Sequence, residues 1–251
     1  MNVTPDMSSE DLVTLGRRIT TIETYKWCRA RRDEPHRRLE VTAVMAAPVA
    51  SGPAVDGVWH LDAILTWAVL WVCGRRNPYT EGDPLDIPIP LARANGVWSA
   101  SCLTPWGDTR TGWVWFRKRP DLAQAETWLL PNRLPMKGGP HRAQQHPLRV
   151  STTCLLTARA VGSPTAVAEL LTVVTSVGKN RGHGYGSVRE WGVRVMDGDP
   201  TPEWAWQADD GRCLRPLPID VATGLNATGR ASVGHFTPPY WRSGGVPILC
   251  P

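Results

Sequence analysis

The sequence predicts an α+β protein built on a ferredoxin-like sheet, and three observations carry that prediction. Patterned segments follow in the order strand, helix, hairpin, strand, long basic loop, strand, helix, strand, which is a βαββ…βαβ arrangement. The two helical segments are largely apolar, while the strand segments alternate and are rich in β-branched residues and tryptophan. The pattern is interrupted once, over 120–147, by a stretch rich in Pro, Gly and basic residues. RNA-recognition modules share this four-stranded sheet and stack bases on its open face, but the architecture hosts many activities and does not fix one.

Taken in chain order, Ser8 to about Arg31 reads as a helix, with Ser9, Glu10 and Asp11 as a capping region and Leu12, Leu15, Ile19, Ile22 and Trp27 near helical spacing. The tail RARRDEPHRR breaks at Pro35, so 1–37 is an extension to the main fold. Arg38–Val49 (RLEVTAVMAAPV) alternates as one strand. HLDAILTWAVLWVCG gives a mostly buried helix from about Leu61 to Cys73, stopped by Gly74, with Asp62 favouring the dipole of its first turn. DIPIPLA and GVWSASCL read as two strands joined by the turn RANG. RTGWVWFRKR is a further strand, Trp113 and Trp115 on one side and Val114 and Phe116 on the other.

The interruption, PDLAQAETWLLPNRLPMKGGPHRAQQHP, is too long and too polar for a core connector. It buries little by itself, which predicts ordering only on binding a partner. LRVSTTCLLTARAVG resumes as one strand, Pro164 opens the helix PTAVAELLTVVTSVG, and SVREWGVRVM is the last strand of the sheet. Asp209-Asp210-Gly211 marks a turn. The main domain is thus 38–198, with a basic insertion at about 117–149, and a smaller β-rich part dense in Pro and Trp fills 199–251.

A net charge of +5 and an isoelectric point near 9.1 are modest, but the basic residues gather at Arg29–Arg38, Arg117–Arg149 and Lys179–Arg189. Such clusters are the footprint of a polyanion partner, or, singly, solvated faces. Thirteen tryptophans against two phenylalanines serve the core, and any exposed beside arginine become stacking platforms. The six cysteines have neither CxxC pairing nor zinc spacing, so they read as buried free thiols and no metal or cofactor is expected. There is no apolar run of membrane-spanning length and no secretory pattern, which makes the cytoplasm the expected location. HExxH, GxSxG and paired-carboxylate spacings are absent, and no residue is assigned a catalytic role.

GKNRGHGYGSVREW, Gly178–Trp191, is the most concentrated feature. It follows a helix and precedes a strand, so it fails the context of both a P-loop and a dinucleotide fingerprint. Its glycines permit positive φ or close approach. Lys179, Arg181 and Arg189 offer cationic contacts, Gly182 and Gly184 offer backbone N–H groups to a phosphate, and His183 or Tyr185 can stack on a base. A plain turning connector is the alternative.

The same loop resembles the glycine-rich loop of the RAMP superfamily of CRISPR RNA-binding subunits. HLDAILTWAVL is similar to that superfamily's first-domain helix start. PIPLARANGVWSASCL and TPPYWRSGGVPILC resemble segments of the Cas-five group of type IV CRISPR effector complexes. The resemblance covers roughly Leu61–Cys250 and leaves the N-terminal helix outside. It implies an RRM-like RAMP domain with a thumb, acting as a non-catalytic subunit that caps the 5′ handle of the guide RNA and nucleates the ribonucleoprotein, a role in antiviral defence. Arg133, Lys137, His141 and Arg142 then fall in the thumb, and Lys179–Arg189 in the RNA-contacting loop. Implied partners are the guide RNA, backbone subunits of the Cas-seven group and a large or small subunit, with target DNA as a further candidate. Some RAMP proteins cleave precursor guide RNA without metal, and Lys179, His183 and Tyr185 carry the groups such cleavage needs.

Overall fold

The computed structural model of the chain describes residues 34–51, 58–73, 87–118, 144–240 and 244–251. The helix expected over 8–31 and the thumb residues Arg133, Lys137, His141 and Arg142 lie outside them.

The central strand β1 (Arg37–Met45) shows why the sheet forms. Leu39, Val41 and Ala43 are fully buried on one side, while Arg38, Glu40, Thr42 and Val44 alternate with them on the other. Two long antiparallel partners flank it, β10 (Val188–Met196) and β9 (Leu155–Gly162). β9 pairs with β6 (Cys102–Trp106), and β6 with β3 (Trp59–His60), so the strand order is β10-β1-β9-β6-β3 and every pairing is antiparallel. Two helices cover the apolar face. Leu61, Leu65, Ala68 and Val69 of α1 (Leu61–Val72) and Val167, Leu170 and Leu171 of α2 (Pro164–Leu171) close one core with Leu156, Ala158 and Ala160 of β9. The architecture is α+β, with mostly antiparallel sheets and few helices.

α2 starts where the sequence predicts, with Pro164 in its first turn and the Ser163 hydroxyl accepting the Ala166 N–H at 3.0 Å. Glu34 reinforces that cap, accepting from the Ser163 hydroxyl and from the Thr165 N–H. The helix ends early, because Thr172, Val173, Val174 and Thr175 are β-branched in succession and helical geometry restricts their χ1. The N–H groups of 172–174 instead bond three residues back.

Two expected single strands are each split between two sheets. Arg38–Val49 bends at Ala46–Pro48, giving β1 and then β2 (Val49–Ser51). The strand read from LRVSTTCLLTARAVG bends at Thr153–Cys154, giving β8 (Gln144–Thr152) and then β9. Thr153 is buried and its hydroxyl donates to the Leu155 carbonyl at 2.9 Å, a local bond that competes with the ladder. β2, β8 and β7 (Arg110–Lys118) form a second sheet, in which β7 and β8 make a long hairpin that stems the insertion. Gln144–Pro147, expected to be patternless, thus belong to a strand.

DIPIPLA forms no strand over Ile87–Ile89, since Pro88 and Pro90 have no N–H to donate to a ladder. The hairpin shrinks to β4 (Arg93–Ala94) and β5 (Val97–Trp98) around Asn95 and Gly96, both at positive φ. A 3₁₀ turn at Pro202–Ala205 leads to β11 (Leu217–Pro218), α3 (Ile219–Gly224), β12 (Arg230–Gly234) and β13 (Val246–Cys250), which pair in the order β11-β13-β12. Their core of Ala205, Trp206, Cys213, Leu217 and Ala222 takes in Val97 from β5. Gly211, at φ 86, makes the turn expected after Asp209 and Asp210.

Candidate nucleic-acid interface

The glycine loop has a fixed shape, and its glycines divide by what surrounds them. A Cβ on Gly178 would lie 2.6 Å from the Ala50 carbonyl oxygen, and one on Gly186 only 1.8 Å from that of Val177. Both sit at positive φ, so both approach the protein's own backbone rather than a ligand. Gly182 and Gly184 have open space around the Cβ position. Backbone N–H groups of Lys179, His183, Gly184 and Gly186 donate to Ala50, Asn180, Arg181 and Pro48. The Gly184 amide, expected to face a phosphate, is therefore used inside the loop, and cationic side chains are what the loop presents.

Between left-handed Asn180 and Gly184, Arg181–His183 forms a single exposed 3₁₀ turn. His183 meets the edge of Phe116, ring centroids 4.7 Å apart, which ties the loop to the insertion stem. Tyr185 packs against Ala50, Leu148 and Val150 of the β2–β8 pair. Arg189 is exposed on β10 and does not line the cleft described next. The loop therefore separates its candidates: Lys179 and Arg181 face one way, and His183 and Tyr185 hold the stem.

Lys179 and Arg181 line a cleft of about 750 Å³ between the loop, α1 and the C-terminal sheet. Its other walls are Trp59, His60, Ala63, Ile64 and Trp67 on one side and Arg230, Ser232, Gly234 and His235 on the other. No aspartate or glutamate side chain is among the described residues lining it. Three cations from two separate elements, Lys179 and Arg181 of the glycine loop and Arg230 of β12, around aromatic walls give a site suited to phosphates with bases or sugars between them. Trp67, His60, Arg230 and His235 were not read from the sequence as functional. They lie far from the loop along the chain, and only the fold unites them.

Beneath the cleft lies a buried ion pair. Arg215 and Asp62 are each 1% exposed, and the Arg215 Nη2–Asp62 Oδ2 distance is 3.0 Å. Arg215 also donates to the carbonyls of Trp98, Ala100 and Phe236 and to the Tyr240 hydroxyl, while Tyr240 donates to Asp62 at 2.8 Å. Burial lowers the Arg215 pKa, but Tyr240 and Asp62 outweigh it and the net shift is upward. Burial raises Tyr240 well above the phenol range, so it stays protonated and donating. Its ring stacks on His60 at 3.6 Å with 9° between planes, and the Cys102 sulfur lies 3.3 Å from His60 Nδ1. Asp62 contacts the Ala63 N–H at the helix start as expected, yet its main partner is Arg215. The pair clamps the C-terminal part onto the first turn of α1, which sets two walls of the cleft.

The face of the main sheet turned away from the helices offers no stacking platform on its central strands, carrying Glu40, Thr42 and Val44 on β1 and Leu155, Thr157 and Arg159 on β9. Part of that face is taken by Trp204, whose ring has Arg38 at 5.4 Å and Arg159 at 5.3 Å. Exposed tryptophans lie instead at the end of β6, where Trp106 is 66% exposed opposite Leu155, on α1 and on the stem. Trp113 and Trp115 are 60% and 61% exposed on one face of β7, with Arg149 directly across from Trp113. The cysteines are mostly buried as expected, but Cys154 at the β8–β9 bend is exposed, and Cys28 lies outside the described residues. No described helix is long and apolar enough to cross a membrane.

Residues 116–247, from the stem through the glycine loop and Arg215 to β13, match the family described as CRISPR type IV associated protein Csf3. The chain belongs to that family. Membership places it in type IV CRISPR systems, among the subunits of a type IV complex. No curated protein matches the chain significantly.

Proposed function

We propose that the chain is a non-catalytic RNA-binding subunit that caps the 5′ handle of the guide RNA and nucleates a type IV effector ribonucleoprotein. The observation behind this reading is the convergence of Lys179, Arg181 and Arg230 on an aromatic-walled cleft free of described acidic side chains, in a type IV CRISPR-associated protein. Phosphate contacts supply affinity and the aromatic walls accommodate unpaired bases. The strand order β10-β1-β9-β6 with two helices on one face supports a ferredoxin-like, RAMP-type fold of the Cas-five group, extended by β3 at one edge. In this reading 1–37, 38–198 and 199–251 are the extension, the RNA-binding domain and its packed C-terminal part. The β7–β8 hairpin is the stem of a thumb that carries Arg133, Lys137, His141 and Arg142 along the guide. Backbone subunits of the Cas-seven group, a large or small subunit and target DNA complete the partners, in the cytoplasm.

Binding is favoured over cleavage by the separation of the groups that cleavage needs. His183 contacts Phe116 and Tyr185 packs on the stem sheet, whereas Lys179 lines the cleft. The test is to express the chain with its neighbouring subunits and isolate it. The reading expects a guide-length RNA to accompany it intact, with Lys179→Ala/Arg181→Ala losing that RNA. Discrete cleavage of repeat RNA in EDTA contradicts the non-catalytic assignment, and no RNA at low salt contradicts RNA binding altogether.

A further inference from the structure

Helix α1 carries an aromatic ladder that core formation explains only in part: Trp67 is half-buried against the main core, while Trp71 stands outside it. Its inner side already buries Leu61, Leu65, Ala68 and Val69. Trp67 lines the cleft, and Trp71, one helical turn later, stacks on it with ring centroids 5.3 Å apart and 21° between planes. Trp71 is 44% exposed, so its indole is held half in water where a smaller residue would serve the helix equally well. The guanidinium of Arg181 lies 5.6 Å over the Trp67 ring. A cation from the glycine loop thus covers the indole that forms one wall of the cleft.

We propose that Trp67, backed by Trp71 and covered by Arg181 in the free protein, is the base-stacking wall of the cleft. The proposal rests on the reading that the cleft takes single-stranded RNA, and it names the residues that meet the bases. An entering base takes the place of the guanidinium over Trp67, and Arg181, an exposed and flexible side chain, turns to a phosphate, where its fork makes charge-assisted bonds. The exchange is favourable because a base buries a larger π-face than a guanidinium and arginine binds phosphate more strongly than indole. The wall tolerates any base, since every base has such a face. Trp71 is a positioning residue that holds the plane of Trp67 without itself lining the cleft.

The full-length protein is titrated at low salt with an oligouridine of about eight nucleotides, within the span of one such groove, and with an abasic chain of the same length. The wild type is expected to prefer the oligouridine by about tenfold or more. Trp67→Leu should abolish that preference by costing the oligouridine far more affinity than the abasic chain, Trp67→Phe should keep it, and Arg181→Ala should weaken both probes. Trp71→Ala, altering a half-exposed side chain, should reduce the preference in a protein that still folds. A preference unchanged in Trp67→Leu and Trp71→Ala, or both probes weakened equally by these substitutions, overturns the proposal and leaves RNA binding standing. If neither probe binds the wild type, the RNA reading and the proposal fall together.

Discussion

Replacing Arg215 with methionine perturbs the fold where the C-terminal part meets α1. The side chain is 1% exposed, and its loss leaves the Asp62 carboxylate, also 1% exposed, with only Tyr240 and the Ala63 N–H as described partners. Breaking a buried pair from one side costs about 3–5 kcal/mol. The carbonyls of Ala100 and Phe236 also lose a donor, adding about 1 kcal/mol. The expected destabilisation is therefore about 4–6 kcal/mol, a large part of the ~5–15 kcal/mol that holds an ordinary domain. Urea denaturation followed by tryptophan fluorescence reads it directly. Asp62→Leu/Arg215→Met, which removes both charges, should be no less stable than Arg215→Met alone, because no charge is then left buried. A double mutant whose loss equals the sum of the two single losses would refute the reasoning, as would an Arg215→Met loss below about 1 kcal/mol, the scale of an exposed pair.

Gly186→Ala should destabilise by more than about 2 kcal/mol, since its Cβ meets the Val177 carbonyl at 1.8 Å from a φ of 69°; Gly182→Ala, with open space around it, should stay within about 0.5 kcal/mol in the same denaturation series. Burial pushes the Cys213 thiol up to about 11, with Cys250 adding to the shift. A group whose pKa is raised on folding stabilises fully below its unfolded value, near 8.5, and loses that contribution as pH climbs through its folded value. Stability should therefore fall by about 3 kcal/mol between roughly pH 8.5 and 11, with Tyr240 acting in the same direction, and Cys213→Val should flatten the alkaline branch of the urea midpoint. Among the described cysteines, Cys154 should react first with a thiol reagent at neutral pH and buried Cys213 only on unfolding, which mass spectrometry of the labelled chain resolves.

Local chemistry made several elements legible. The apolar run Leu61–Val72, the Ser163–Pro164 start of α2, the alternation of β1 and the Asn95–Gly96 turn each carry their cause within a few residues. The splits at Ala46–Pro48 and Thr153–Cys154 were not legible, because residues on both sides favour strand and only the existence of two sheets decides where the chain bends. In the glycine loop the composition announced an unusual backbone but not its reason: Gly178 and Gly186 serve the protein's own packing. The Arg215–Asp62 pair spans 153 positions, and its only local trace is a cation inside the apolar run Cys213–Leu217. Arg230, His235 and Trp67 sit in ordinary strand, loop and helix patterns, so nothing short of the tertiary fold assembles the cleft.

Whether that cleft holds the guide is decided by the salt dependence of handle-RNA binding in the wild type and in Lys179→Ala/Arg181→Ala/Arg230→Ala. Each phosphate contact on a single strand contributes about 0.7 to the slope of log affinity against log salt. A cleft that neutralises phosphates with these three side chains predicts that the triple variant binds more weakly at low salt and that its slope falls by about two. An unchanged affinity and slope in a folded triple variant would contradict it.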